Sequence, residues 1–195
     1  MIPQFWWYAS RATGMVAWAL SAAAVIWGLL LSTRSARGVA KPVWVLDLHR
    51  FLGVLTLAVT AAHLGALVAD TYVTFTLSDL LVPGASSWKT LPVAWGVTAF
   101  WLFVIVQVSS LLKKQLPNKV WHRIHLLSFV AYILATLHYL QAGTERTNPV
   151  VLFSVEAVTA VVLYLTLLRV LAPRQARRAA QRIERKLPAP AGAIR

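Results

Sequence analysis

Four histidines in two apolar segments are the residues best suited to chemistry: His49 and His63 in one, His125 and His138 in the other. The intervals of 14 and 13 residues each cover roughly 20 Å along a helix. A hydrocarbon core is about 30 Å thick, so each segment would hold one histidine near each membrane face. A neutral imidazole nitrogen is a common axial ligand of porphyrin iron. If the two helices lie side by side, the spacing predicts two b-type haems in series.

The amino-acid composition is that of a membrane protein. Of the 195 residues, 58% are hydrophobic and only 13% are charged, whereas about a quarter of the residues in a soluble domain are charged. The charges lie in short blocks between long apolar runs, which is typical of a polytopic membrane protein. The chain has no cysteine, which excludes disulfides, thiolate metal sites, iron–sulfur clusters and covalent c-type haem attachment.

The net charge of +13 raises the question of a nucleic-acid partner, but the positions of the basic residues argue against one. They flank the apolar runs, where positive charge sets membrane topology and meets anionic lipid headgroups. We therefore expect membrane lipid, and no nucleic acid, as their partner. The N-terminus shows no basic region followed by an apolar run and a small-residue cleavage site, so we expect no removable signal peptide.

Five apolar stretches are long enough to cross a bilayer as helices. They cover residues 13–31, 45–69, 91–112, 120–141 and 149–171. The aromatic cluster at residues 5–8 is typical of a membrane interface. In the loop after the second stretch we expect a short surface helix over residues 78–81, with Ser78 as its N-cap. The predicted fold class is all-α, a polytopic membrane helical bundle of five transmembrane helices.

The distribution of lysine and arginine predicts the orientation of the bundle. With the N-terminus outside, three of the 19 basic residues lie in external segments: Arg11, Lys89 and Arg146. The remainder lie on the internal side, which favours an N-out, C-in arrangement. We expect residues 1–172 to form the transmembrane domain. Residues 173–195 would form a basic amphipathic tail on the cytoplasmic side, beginning where Pro173 ends the last span.

The predicted orientation also pairs the histidines. The second and fourth spans run in the same direction, so His49 pairs with His125 on the inner side and His63 with His138 on the outer side. At about 100° per residue, 14 residues return to within about 40° of the same helix face, but 13 residues leave two rings about 140° apart. We therefore expect the fourth span to wrap, kink or contain a local irregularity, or the two haems to lie at different angles.

Each haem carries two propionates, which need cations or hydrogen-bond donors at the membrane edge. Arg50 and Arg123 lie one and two residues from an inner histidine and are the best candidates, with Lys119 behind them. An equally open interpretation is that both arginines only set the topology. We interpret His122 as an interfacial residue near a propionate rather than as a ligand.

Three further residues give weaker signals. Gly53 and Gly65 closely follow the histidines of the second span, and glycine lets a flat macrocycle approach the backbone. Small residues are also common at helix contacts in membranes, so these glycines have a plain structural explanation. Glu156 lies well inside the fifth span, where it would carry protons for a bound quinone or flavin, or cap the polar start of that helix.

Two runs of sequence resemble a known family. The run Trp121-His122-Arg123-Ile124-His125, followed by His138-Tyr139, resembles the fourth-span signature of the ferric reductase-like transmembrane domain. The 14-then-13 histidine spacing is similar to that of the same family and of the NADPH oxidases. Residues 77–88 resemble the external loop of the bacterial stand-alone members. The resemblance covers residues 10–172.

This resemblance implies a helical bundle that binds haem between the second and fourth spans and moves electrons across a bacterial cell membrane. The best functional analogue is the haem membrane subunit that supplies a periplasmic methionine sulfoxide reductase, and which takes electrons from quinone or a cytosolic flavin reductase. Relatives carry one span more than the five counted here. The sequence contains no Gly-rich dinucleotide fingerprint, so electrons from a nicotinamide or flavin would come from another polypeptide.

We therefore expect a multi-pass protein of the cell membrane that transfers electrons through two b-type haems. Electrons would enter from a cytoplasmic flavoprotein or quinol, where the basic tail could dock an acidic partner. They would leave to ferric iron, oxygen or a periplasmic redox protein. A flavin or a quinone is a further candidate cofactor, and the partners decide whether the chain is itself an enzyme.

Two alternative functions stay open. A self-sufficient ferric-chelate or oxygen reductase would have a substrate pocket near the outer haem. A divalent-metal transporter would need carboxylates beside the histidines at mid-membrane. Asp47 and Glu156 are the carboxylates that come near them in the sequence.

Overall fold

The computed structural model describes residues 4–33, 42–145 and 147–186, with the side chains of residues 42 and 172–186 outside that description. These residues form six helices: α1 (Phe5–Thr33), α2 (Pro42–Ala69), α3 (Leu77–Leu81), α4 (Thr90–Leu111), α5 (Asn118–Ala142) and α6 (Pro149–Lys186). All except the short α3 are long and apolar enough to cross a membrane. The predicted all-α bundle of five membrane-spanning helices is confirmed.

The long helices expose apolar side chains over most of their surface. In the most apolar stretch of each, 11% to 33% of the residues are buried inside the bundle. Large side chains such as Trp44, Phe51 and Phe153 face outward. In water, apolar surface costs about 25 cal/mol for each Å² left exposed, and a patch this large is unusual on a soluble monomer. The helices therefore have the surface of a multi-pass membrane protein in contact with lipid.

The bundle is built from two helical hairpins. The most extensive helix contacts are those of α1 with α2 and of α4 with α5, whereas α2 and α4 touch over a shorter stretch. Among the described residues, α2 and α5 share at most a slight backbone contact, yet these two helices carry the four histidines. Each histidine helix is thus held by its own hairpin partner, and the histidine pairs bridge α2 and α5.

The buried core lies where α1 meets α5 and α6. It consists of Ala22, Val25, Leu29, Tyr132, Val162 and Leu165. Nearby, the Trp18 indole Nε1 donates to Oγ1 of Thr136 at 3.0 Å, and the Trp18 ring stacks on Tyr139 with centroids 5.1 Å apart. These contacts fix the depth and rotation of α1 against α5, and therefore of the hairpin that holds His49 and His63.

The predicted N-cap of α3 is wrong, whereas the predicted fifth span, residues 149–171, agrees with Pro149–Leu171 as the part of α6 that is long and apolar enough to cross a membrane. The N-cap of α3 is Thr76 and not Ser78. The hydroxyl of Thr76 accepts the backbone N–H of Asp79, and the Asp79 carboxylate accepts the backbone N–H of Thr76, which forms a capping box. α6 also continues through Pro173 to Lys186. A proline removes one backbone donor, but the alanine- and arginine-rich sequence after it favours helix.

Some sequence features fall outside the described residues. They are the basic loop residues Arg34, Arg37, Lys41 and Arg146 and the last nine residues, 187–195. The aromatic cluster at residues 5–8 belongs to α1, which begins at Phe5. The inner and outer sides of the bundle are named after the orientation that the sequence predicts.

Candidate functional site

The four histidines form two pairs, and each pair joins α2 to α5. The ring centroids of His49 and His125, the inner pair, lie 5.9 Å apart with their planes at 70°. The centroids of His63 and His138, the outer pair, lie 6.5 Å apart with their planes at 74°. The fold thus places two imidazole pairs at two levels of the bundle.

The histidines of α5 extend from a continuous helix. Residues Asn118–Ala142 form one uninterrupted α-helix, without the local irregularity that the 13-residue interval suggested. Both rings nevertheless meet the histidines of α2, so this uninterrupted helix carries two rings 13 residues apart to the same partner helix.

Three of the rings are held by backbone carbonyls of the neighbouring hairpin helix. The Nδ1 atoms of His49 and His63 contact the carbonyls of Ala24 at 3.0 Å and Ser10 at 2.7 Å, both in α1. His138 contacts the Pro92 carbonyl of α4 in the same way, at 2.8 Å. A carbonyl oxygen can only accept, so each Nδ1 must carry the proton, and each Nε2 keeps its lone pair. This is the arrangement usual for metal-ligating histidines.

The fourth ring has a hydroxyl in place of the carbonyl. The Nδ1 atom of His125 lies 3.4 Å from Oγ of Ser110 in α4. That hydroxyl donates its own proton to the Val106 carbonyl at 2.8 Å, so it is left to act as an acceptor towards His125. The Nδ1 of His125 therefore also carries the proton, and its Nε2 also keeps a lone pair.

Glycines allow three rings to lie directly against the backbone of the supporting helix. A Cβ atom at Gly14 would lie 3.0 Å from Cε1 of His63, and one at Gly28 would lie 3.2 Å from Cε1 of His49. The closest approach is at Gly96, where a Cβ would lie 2.7 Å from Nδ1 of His138. A Cβ at Gly96 would force the His138 ring to move, and a Cβ at Gly14 or Gly28 would require the ring to shift by a few tenths of an ångström.

The supporting glycines are not those that the sequence analysis singled out. Gly53 faces Gln107, whose Oε1 would lie 3.0 Å from an added Cβ, and Gly65 has open space where its Cβ would be. The glycines that matter lie on α1 and α4, opposite the histidines rather than beside them. Their signal in the sequence is the interval between Gly14 and Gly28, which equals the 14-residue interval between the histidines of α2.

A cluster of positively charged side chains and a buried N–H without an acceptor lies beside the inner pair. The Trp121 ring stacks on His125 with centroids 5.0 Å apart. In the described part of the chain, the Trp121 indole N–H is buried and meets no acceptor. Nζ of Lys113 lies 4.2 Å from the Trp121 ring centre, and Arg169 of α6 is close enough to act electrostatically on His125. A buried N–H without an acceptor is costly, so the cluster suits an anionic oxygen.

The arginines predicted to bind propionates are placed differently. Arg50 is exposed and pairs with the Asp47 carboxylate at 3.4 Å. Arg123 is also exposed. His122 lies at the surface beside Trp121, with ring centroids 6.3 Å apart. The structure thus brings Lys113 and Arg169 to the histidine pair, at positions that the sequence analysis did not single out.

The outer pair borders a cavity of about 190 Å³. Its walls include both rings of the outer pair, the glycines behind them, and Ser10 and Arg11. Arg11 follows directly the residue whose carbonyl holds His63, and its guanidinium pairs with the Glu145 carboxylate. The cavity is therefore mostly apolar around the rings and carries charge at one edge.

Three further charged residues, Lys89, Lys119 and Glu156, are bound elsewhere or exposed. Nζ of Lys89 donates to the carbonyls of Gln141 and Ala142 at 3.3 and 3.2 Å. It therefore caps the carboxyl end of α5, where a cation is favourable. Glu156 is exposed on α6. Lys119 at the start of α5 is exposed as well.

The histidine pairs fit a metal ion that takes most of its ligands from a cofactor and only two from the protein. Among the described residues, no group of three or more histidine, cysteine, aspartate or glutamate side chains comes together, whereas a zinc ion takes at least three protein ligands. Haem iron needs one or two axial ligands from the protein. With metal–nitrogen bonds of about 2 Å and roughly 1 Å from nitrogen to ring centre, two axial imidazoles would have centroids about 6 Å apart. The observed 5.9 and 6.5 Å are close to that distance.

The two levels of the site share one plan. Each has one ring from α2, one ring from α5 and an acceptor behind each Nδ1, and three of the four rings also lie against a glycine. The charged groups described above lie towards the ends of this arrangement. No protein-family model, curated protein or solved structure matches the chain.

Proposed function

We propose that this chain is a transmembrane electron carrier that binds two b-type haems, one between His49 and His125 and one between His63 and His138. The observation that supports it best is the hydrogen bonding of the rings. An acceptor behind each Nδ1 leaves four Nε2 lone pairs, arranged in two pairs. Such lone pairs are the axial ligands that haem iron takes from proteins.

The residues of the chain would have three tasks at each level. The imidazoles bind the iron, and the acceptors behind them fix the ring orientation and raise the basicity of the ligand. The apolar helices keep water away, which influences the reduction potential. When bound, a haem supplies a metal that takes up and releases one electron.

Charged groups at the two ends would hold the haem propionates. At the inner end, the Trp121 N–H, Lys113 and Arg169 offer one buried hydrogen-bond donor and two positive charges. At the outer end, Arg11 is the cation that borders the cavity, and it would share its charge between Glu145 and a propionate. A carboxylate bound to arginine or to an N–H donor forms a charge-assisted hydrogen bond, which is stronger than a neutral one.

The direction of transfer follows from the predicted orientation, and the partners and the membrane are those that the family resemblance implies. Electrons would enter at the inner pair from a cytoplasmic flavoprotein or a quinol, and would leave at the outer pair to a periplasmic acceptor. The membrane would be a bacterial cell membrane. The resemblance of residues 121–125 and 138–139 to the ferric reductase-like transmembrane domain supports the same proposal.

A second candidate function is a self-sufficient ferric-chelate or oxygen reductase. The observation that favours it is the position of the cavity, which borders the outer pair and is edged by Arg11. A small substrate could meet electrons there without a protein acceptor. The divalent-metal transporter receives no such support, because within the described residues the histidines meet in twos and without a carboxylate.

The test is electron transfer across a sealed membrane. Wild-type protein is loaded with haem and reconstituted into vesicles that contain a ferric chelate, and an impermeant reductant is added outside. We expect haem absorption bands, their reduction, and then reduction of the enclosed iron. His63→Ala should stop the enclosed iron from being reduced, whereas Glu156→Gln, on an exposed residue of α6, should not.

Two results would contradict the proposal: protein that acquires no haem bands, or iron reduction no faster than in vesicles without protein. The same protein in detergent separates the two candidate functions. Repeated turnover of a ferric chelate or of oxygen, with no second protein added, would favour the self-sufficient reductase.

A further inference from the structure

The supports behind the histidines repeat with a fixed register in α1 and α4. In each case a carbonyl acceptor is followed four residues later by the position that lies against the ring. The pairs of acceptor and ring-facing position are Ser10 with Gly14, Ala24 with Gly28, Pro92 with Gly96, and Val106 with Ser110. The interval is 14 residues within each helix, and every position in α4 lies 82 residues after its counterpart in α1. The two hairpins therefore use the same support.

Ser110 is the exception in this register. It occupies the position that glycine occupies behind the other three rings. Its hydroxyl donates to Val106, the carbonyl that the register assigns to His125, at 2.8 Å. The ring of His125 is consequently held by the serine oxygen at 3.4 Å, whereas the other three rings bind carbonyls at 2.7 to 3.0 Å.

A longer hydrogen bond to a hydroxyl should make His125 a weaker electron donor to a metal. An acceptor behind Nδ1 raises the basicity of the ligating nitrogen, and the effect grows with the strength of that hydrogen bond. A more basic axial ligand favours the oxidised iron and lowers the reduction potential, and hydrogen bonding behind the ligand is one of the means by which proteins tune haem. The haems at the inner and outer pairs should therefore have different reduction potentials.

We propose that Ser110 is a positioning residue that keeps the reduction potential of the inner haem above the value a carbonyl support would give. This inference rests on the proposed function. Packing alone explains the bond from Ser110 to Val106, since serines in membrane helices often donate to a carbonyl of the preceding turn. It does not explain why this serine replaces glycine behind His125.

Other groups around His125 also act on its ring. They are His49, Lys113, Trp121, His122 and Arg169. The three positive or ionisable groups at the inner edge, Lys113, His122 and Arg169, also influence the potential, so the test changes Ser110 while leaving them in place. Ser109 is the matched control, because it is buried, donates to the same Val106 carbonyl at 2.9 Å, and among the described residues forms no hydrogen bond with a histidine.

The experiment is a potentiometric titration of haem-loaded wild type, Ser110→Gly, Ser110→Ala and Ser109→Ala. Ser110→Gly removes the Cβ and one of the two serine hydroxyls that donate to the Val106 carbonyl, so that His125 can bind this carbonyl as the other three rings bind theirs. The inner haem should then shift to a more negative potential. Ser110→Ala keeps the Cβ but removes the acceptor, so the inner haem should shift to a more positive potential. We expect changes of up to about tenfold in the reduction equilibrium, or about 59 mV for one electron. The potential of the outer haem in the Ser110 variants, and the potentials of both haems in Ser109→Ala, should change by only a fraction of that amount.

Unchanged inner potentials, or shifts of the same sign in the two Ser110 variants, would overturn the proposal. A protein that binds no haem would instead count against the proposed function, and nitrogen NMR of the histidines then decides on Ser110. In that case, a proton on Nδ1 of His125 in the wild type that becomes shared between the two nitrogens in Ser110→Ala supports the positioning role. An unchanged tautomer in Ser110→Ala overturns it.

Discussion

Gly96 lies directly against the ring of His138, so closely that a Cβ at residue 96 would stand 2.7 Å from Nδ1. Real Cβ contacts are longer, so the ring can bind the Pro92 carbonyl only because residue 96 has no side chain. The hydrogen bond fixes the proton on Nδ1 and presents Nε2 as a ligand. A glycine on α4 thus determines which ring nitrogen of a histidine on α5 carries the proton.

Alanine in place of Gly96 should therefore impair the outer haem. The added methyl group would displace the His138 ring and weaken its bond to Pro92, and loss of a partner behind a ligating histidine typically costs 10- to 100-fold in metal affinity. The measurement is haem content and haem affinity of the purified variant. Gly65→Ala is the control, because its Cβ would enter open space. Equal loss of haem from both variants would contradict the role of Gly96.

The unused indole N–H at the inner end leads to a second prediction. Trp121→Phe keeps an aromatic ring on His125 but removes the donor. If that donor binds a propionate, we expect the affinity for the inner haem to fall about tenfold, since a hydrogen bond to a charged group contributes roughly 1.5–3 kcal/mol. Haem transfer to an acceptor protein measures this loss. Arg50→Gln, which removes a cation paired with Asp47, should have a smaller effect, and the reverse order would contradict the prediction.

The capping box of α3 should make the outer loop sensitive to acid. Hydrogen bonds from the side chain and the backbone N–H of Thr76 lower the pKa of Asp79 below its usual value. Because the folded pKa is below the unfolded one, the carboxylate stabilises the loop above the unfolded pKa. That contribution is lost as the pH falls through the lowered pKa. Amide exchange at Val82, which donates to the Ser78 carbonyl at 2.9 Å, should therefore accelerate in acid beyond its intrinsic dependence.

Variants of the capping box separate its two candidate caps. Asp79→Asn should remove the acid dependence of the loop, because the titrating group is gone. Ser78→Ala should keep the dependence, since the N-cap is Thr76. An acid response that persists in Asp79→Asn, or that disappears in Ser78→Ala, would contradict a capping box formed by Thr76 and Asp79.

The spans and their number could be predicted from the sequence because long apolar runs leave few alternatives in a bilayer. The supports behind the histidines could not be predicted in the same way. Ser10, Ala24 and Pro92 act through their carbonyl oxygens, which every residue possesses, so their identity carries no signal. The glycines that admit the rings lie on α1 and α4, whereas the glycines close to the histidines of α2 in the sequence are Gly53 and Gly65.

The inner charge cluster was hidden for a different reason. Lys113 precedes α5, and Arg169 lies far along α6. Their approach to His125 depends on how α4, α5 and α6 pack together, and this is a tertiary property. Pro173 follows the end of the predicted fifth span, and α6 continues beyond it because the sequence after Pro173 favours helix.

The most direct test is a redox-titrated absorption spectrum of the wild type beside His63→Ala, His125→Ala and His122→Ala. If one haem lies at each histidine pair, we expect two haems in the wild type. His63→Ala and His125→Ala should each lose a different haem, and His122→Ala should keep both. Unchanged haem content in both His63→Ala and His125→Ala, or a wild type without haem bands, would contradict the assignment of the two pairs as haem ligands.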